Sequence, residues 1–263
     1  MEMNATLLIP IIYGWIAGIF VNYVSDVLPQ TRRFSQPVCR HCQHPIGWVD
    51  YLTLRTCKNC RKGRNLRAWL VQVLALSSFI YFWLFPSERL GFWLGALLLV
   101  YFGILTVIDL EHRLILHVTT LTGAVLGLFV GVFIYMKKYS LLISLGYSLL
   151  GGVIGFGIMF VLYQIGAIVA RRRARKMQAA GQAADDEDEG LGGGDVYLLG
   201  VLGLMLGPSV VAVLFYGALF GGLASLLLII AYLIQRRSSR DALMTFIPYG
   251  PYFIIVAFFT LFF

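Results

Sequence analysis

Leu90-Gly-Phe-Trp-Leu-Gly-Ala-Leu-Leu-Leu-Val-Tyr-Phe-Gly-Ile-Leu-Thr-Val-Ile-Asp109 carries no charged side chain before its last residue. A helix or strand drawn through it has no polar face to offer water. A bilayer-spanning helix needs about 20 such residues, and this stretch supplies them. Runs of the same kind cover 5–24, 69–86, 114–136, 141–169, 195–207, 208–235 and 245–263. They are continuous rather than alternating with period two, which argues for helices and against a membrane barrel. The fold expected is an all-α polytopic membrane protein with about eight transmembrane helices.

Composition agrees. Of 263 residues, 59% are hydrophobic and 13% charged, about half the charged share of a soluble domain. A soluble enzyme, a disordered chain and a secreted disulfide scaffold are excluded. The net charge of +8 comes from 21 basic and 13 acidic residues. In a soluble protein that excess would suggest nucleic acid; here orientation in the bilayer accounts for it, and no nucleic-acid partner is expected. With the loop 25–68 placed in the cytoplasm and the segments alternating from there, 18 of the 21 basic residues fall on the cytoplasmic side, as the positive-inside rule requires. The first run starts at Ala5 with no basic stretch before it, so it reads as a retained helix rather than a cleaved signal.

All four cysteines lie in one loop. Cys39-Arg-His-Cys42 and Cys57-Lys-Asn-Cys60 are two C-x2-C knuckles with 14 residues between them. Such a pair presents four thiolates tetrahedrally to one zinc ion, a closed structural site with no position left for catalytic water. Two disulfides would need an oxidising compartment, which the charge rule denies this loop. The boundaries expected are a first transmembrane helix at 1–24, a cytoplasmic zinc-binding module at 25–68 and a seven-helix membrane core at 69–263. A charged cytoplasmic loop interrupts that core at 170–193.

Most acidic residues sit in loops or at loop edges, Asp26, Asp50 and Glu111 among them, and need no special account. Asp109 and Asp195 differ, because each abuts the cytoplasmic end of an apolar run. Ionisable groups at such places mark either snorkelling surface chains or function. The run 185–189, all acidic, follows the basic run 171–176 and reads as a solvated loop.

Three stretches, taken with the knuckles, resemble the prepilin leader peptidases, bacterial membrane aspartyl proteases of the GxGD type. They are Phe20-Val-Asn-Tyr-Val-Ser-Asp-Val-Leu-Pro29, Asp109-Leu-Glu-His-Arg-Leu-Ile-Leu-His117 and Gly192-Gly-Gly-Asp195-Val-Tyr-Leu-Leu. The closing Ile247-Pro-Tyr-Gly-Pro-Tyr252 is similar to the start of the family's last helix. The resemblance implies Asp109 and Asp195 as catalytic carboxylates, with Gly192, Gly193 and Gly194 as an active-site loop that lets the backbone turn and the substrate strand approach. It implies cleavage of a short basic leader from type IV prepilin or pseudopilin precursors at the cytoplasmic face of the bacterial inner membrane, in contact with the lipid bilayer. It also implies a second activity, methylation of the new amino terminus with S-adenosylmethionine.

Three positions depart from the family pattern. Tyr197 stands where lysine is usual, Leu116-His117 where Pro-Asp is usual, and Gln72 where glutamate is usual. They leave both aspartates in place and bear on the methylation. Read without the resemblance, the same residues would also suit a non-enzymatic membrane scaffold or transporter carrying a zinc ribbon.

Overall fold

The computed structural model describes residues 2–39, 41–179, 192–234 and 249–263; the acidic run 185–189 and the basic cluster 236–240 lie outside them. Nine α-helices appear among the described residues: α1 Glu2–Thr31, α2 Trp48–Leu52, α3 Leu66–Leu84, α4 Gly91–His112, α5 His117–Met136, α6 Leu141–Ala179, α7 Gly193–Leu206, α8 Val210–Ile234 and α9 Gly250–Phe262. A single bridge, Val38 to Pro45, is the only β pairing among them. Each apolar run expected from the sequence carries one of these helices within its described residues, and α2 is the one short helix among the described residues of the cysteine loop. Six helical stretches are long and apolar enough to cross a membrane, the last of them Gly193–Ala231, which takes in α7 and most of α8. The chain is a multi-pass membrane protein.

Two helices outrun their expected ends. α1 continues through Pro29 to Thr31, where the Thr31 hydroxyl donates to the Val27 carbonyl at 3.0 Å. α6 continues to Ala179, so the basic run 171–176 rides on a helix rather than in a loop. Neither extension is apolar, and hydropathy could not reveal it.

The chain forms two compact units, 1–114 with 262–263, and 115–261. In the first, α3 lies against α1 at short range, since a Cβ on Gly14 would come within 3.1 Å of the Leu76 Cα. Buried amides join the two helices. Asn22 Nδ2 donates to the Ala68 carbonyl at 3.1 Å, and Gln72 Nε2 to the Trp15 carbonyl at 2.9 Å. Ala17, Phe79 and Ala96 form a small core between α1, α3 and α4.

In the second unit α7 is buried among its neighbours, with Leu199, Leu202 and Met205 fully enclosed. Without a hydrophobic drive between helices in lipid, small residues and polar bonds hold them together. Gly151 and Gly155 on α6 bring that helix onto the α7 backbone. The end of α7 poses a second problem. Pro208 has no N–H to give the Leu204 carbonyl, and an unpaired carbonyl in an apolar medium costs several kcal/mol, order of magnitude ~3. Ser148 Oγ supplies the bond at 2.6 Å, and the Tyr135 hydroxyl serves the Leu206 carbonyl at 2.8 Å. Gly207, at φ +61, then turns the chain into α8 through a 3-10 turn at Gly207–Ser209. This is why the 195–207 segment is short.

A Cβ at Gly151 would overlap the backbone of Gly203 and Gly207, whereas Gly157 on the same helix has open space. Gly151→Ala is therefore expected to lose about 1–3 kcal/mol or to prevent folding, and Gly157→Ala to behave as the parent. Yield and thermal unfolding of the two variants in detergent will show the difference.

Candidate active site and metal centre

The four cysteine sulfurs gather at one point. Cys39 Sγ lies 3.7 Å from Cys60 Sγ, Cys42 Sγ lies 3.7 Å from Cys57 Sγ, and all four are within 4.8 Å of one another. A tetrahedral ion with bonds of about 2.3 Å sets its sulfurs about 3.8 Å apart, so the donor set fits zinc. The two knuckles are built alike. Gln43 N–H donates to the Cys39 carbonyl and Arg61 N–H to the Cys57 carbonyl, while Cys39 and Cys57 N–H donate onward to His44 and Lys62. Gln43 and Arg61 both take the left-handed conformation, at φ 57 and 54. Burial opposes a Cys39 thiolate, yet the His41 and Cys42 backbones bring its pKa down to about 6; the Cys60 and Asn59 backbones lower that of Cys57. His41 and His44 stay outside the cluster.

The module is seated on the end of α1. Tyr23 packs against Trp48 at 5.2 Å and Tyr51 at 6.1 Å between ring centroids, and its hydroxyl donates to the Ser35 carbonyl at 2.8 Å. Beneath these rings lies a carboxylate that the sequence reading left without a role. Asp26 is 8% exposed and accepts from the Tyr51 hydroxyl at 2.7 Å, from Arg64 at 3.4 Å and from Arg67. Arg64 also lies over the Tyr51 ring, 3.7 Å from its centroid. Burial, with Asp26 alongside, pushes the Tyr51 hydroxyl above its ordinary pKa and keeps it a donor. Asp50 holds Lys58 at 2.6 Å and so ties α2 to the second knuckle.

Asp109 occupies the last turn of α4. It is 6% exposed, and its Oδ2 is buried with no hydrogen-bond partner among the described residues. The Asp109 carbonyl accepts the Arg113 N–H at 2.9 Å, with Arg113 left-handed at φ 53 closing the helix. Asp195 lies in the first turn of α7, its N–H donating to the Gly192 carbonyl at 3.0 Å. Asp109 belongs to the first unit and Asp195 to the second.

The glycines before Asp195 are not equivalent. None takes a positive φ. Gly192 and Gly193 face open space, while a Cβ on Gly194 would stand 2.9 Å from that of Ile115. Space is thus the reason for glycine at 194 alone. Tyr197 meets His117 edge to face at 6.2 Å and Phe156 at 5.9 Å, so two of the departures from the family pattern touch each other.

Residues 93–227, which contain both aspartates, match the model of the type IV leader peptidase family. The chain belongs to that family. Among its relatives, the prepilin leader peptidase/N-methyltransferase of Aeromonas hydrophila is 28% identical over 244 residues, covering 88% of this chain and 72% of its own length. The protein of the same name in Pseudomonas aeruginosa is 27% identical over 287 residues, with 95% and 88% covered. That of Vibrio cholerae is 27% identical over 237, with 87% and 81% covered. No solved structure matches.

Membership makes the chain a membrane peptidase and sets aside the scaffold or transporter reading. It also sharpens the question of Gln72. This side chain is 1% exposed and fills the space left by Gly18, where a Cβ would meet its Oε1 at 2.7 Å. Its amide donates to a carbonyl, which a glutamate carboxylate cannot do. Restoring the family residue should therefore harm this protein. Gln72→Glu is expected to cost about 1–3 kcal/mol, read as a lower midpoint of thermal unfolding in detergent; an unchanged midpoint would deny the bond to Trp15 its role.

Proposed function

We propose that this protein is an aspartyl endopeptidase that removes the short basic leader from prepilin or pseudopilin precursors, with Asp109 and Asp195 as its catalytic carboxylates. The observation that carries this reading is Asp109 itself, a buried carboxylate at the end of an apolar helix, one oxygen of which has no hydrogen-bond partner among the described residues. Such groups are expensive and are kept for function. The match of 93–227 to a leader peptidase family, and the names of the relatives, support the substrate class.

Peptide hydrolysis without a metal or a nucleophilic side chain needs water activated on one side of the carbonyl and the oxygen polarised on the other. Two carboxylates sharing one proton do both. One takes a proton from water as it attacks and the other donates its proton to the carbonyl oxygen; as the C–N bond breaks, the first passes its proton to the departing amine and the second takes its own back from the reforming carbonyl. The positive-inside count supports a cytoplasmic location for this chemistry in the inner membrane.

The four thiolates of Cys39, Cys42, Cys57 and Cys60 would hold one structural zinc ion. A closed four-sulfur site leaves no coordination position for water, so its contribution is to folding. The relatives' names include an N-methyltransferase, for which S-adenosylmethionine would be the donor. Gln72 and Tyr197 replace two residues of the family pattern, and our reading is cleavage without efficient methylation.

Purified protein incubated with a prepilin-type precursor tests this. Asp109→Asn and Asp195→Asn should each abolish leader release, a drop of about 10³-fold or more, while both variants stay folded. Ordinary cleavage by either variant would end the aspartyl mechanism. Mass spectrometry of the product should show leader loss without a full methyl increment. Elemental analysis should find one zinc per chain, and Cys57→Ser should lower yield and unfolding temperature; a folded, zinc-free protein would remove the metal from the account.

A further inference from the structure

Asp109 sits where a helix is least secure, in its final turn, and a catalytic group displaced by an ångström can lose about 100-fold in rate. The question is what fixes that turn. Two residues on from Asp109, Glu111 accepts from Arg67 Nη1 at 3.1 Å. The other end of the same guanidinium, Nη2, donates to Asp26. Arg67 is 16% exposed and Glu111 23% in their side chains, so the pair is partly shielded from water although the bond lies at the surface.

Helix electrostatics explains neither residue. A cation is disfavoured at a helix start, and Arg67 is the second residue of α3. A carboxylate is disfavoured at a helix end, and Glu111 is the second residue from the end of α4. Their ion pair offsets both penalties, together with Asp26 on the other arm of Arg67. Arginine also has the shape for the task, a planar fork whose two ends satisfy two carboxylates at once. Asp26 is fixed in turn by the Tyr51 hydroxyl and by Arg64. A rigid chain of bonds therefore runs from the cysteine module and α1 to the last turn of α4.

Residues two apart on a helix lie about 200° round its axis. A hold on Glu111 toward α3 thus fixes the rotation of the turn and sends Asp109 to the other side. We propose that Arg67 is a positioning residue for the peptidase reaction, using the Asp26–Arg67–Glu111 bridge to set the orientation of Asp109. The proposal rests on Asp109 being catalytic, and it gives the cysteine module a part in activity beyond its own stability.

The test is a double-mutant cycle in the full-length, zinc-loaded protein, with Arg67→Lys, Glu111→Ala and the two combined. Lysine keeps a counter-ion for Asp26 but lacks the fork. Each single variant should lower kcat for leader cleavage roughly 10-fold or more with KM within about twofold, and the double variant should be no slower than the worse single one. Glu111→Gln, which keeps an acceptor for the guanidinium, should recover most of kcat. Amide hydrogen exchange supplies a readout without substrate. The segment 109–113 should lose protection in both singles while the segment 39–60 keeps it. Multiplicative effects on kcat, a loss carried by KM, or unchanged protection at 109–113 would overturn the proposal. Cleavage by Asp109→Asn would instead remove the catalytic reading, and the exchange result would still decide whether the bridge holds the turn.

Discussion

A hydrocarbon medium offers no water to a peptide carbonyl, and nearly every feature of this chain answers to that fact. The backbone closes its bonds within helices, so the described residues carry one bridge and no strand. Where a helix must end inside the apolar region, a side chain from elsewhere completes it, as Ser148 and Tyr135 do at the end of α7. Where two helices must meet without a hydrophobic drive, glycine lets backbones touch or an amide donates across, as Asn22 and Gln72 do between α1 and α3. Several buried polar atoms still lack a partner among the described residues, the other ends of the Asn22 and Gln72 amides included, and the one carboxylate oxygen in that set belongs to Asp109.

The cysteine module follows different rules, because water is available to it. Its helix is five residues long and its order comes from sulfur, aromatic rings and ion pairs. The ordering is nonetheless joined to the membrane helices through Asp26, which is buried among charges that belong to both. Replacing such a buried carboxylate leaves cations without a counter-ion, a more costly change than losing an exposed pair.

Much of this was legible in the sequence. Apolar runs marked every membrane helix among the described residues, because length and composition alone decide that question. The cysteine spacing marked the four-sulfur cluster, because each knuckle is a local structure. What could not be read is what depends on distant partners. Asp26 looked like a loop-edge acid, and its ligands are 25, 38 and 41 residues away. Gln72 looked like a loss of function, and its carbonyl partner is 57 residues away. The Phe20–Pro29 stretch held a signal for Asp26, as an acid following a polar Asn22 and Ser25 in an otherwise apolar helix. The three glycines before Asp195 differ in a way their spacing does not reveal. Only Gly194 is pressed against a neighbour.

The twin knuckles have a consequence in time. Each closes through bonds four and five residues apart, and all four sulfurs come from residues 39–60. Contacts so local form quickly, since little chain entropy is lost in closing them. During synthesis these residues leave the ribosome ahead of Leu66–Leu84. The two knuckles can thus close while only α1 is in the bilayer, and the bond from Arg67 to Asp26 joins them to α3 afterwards.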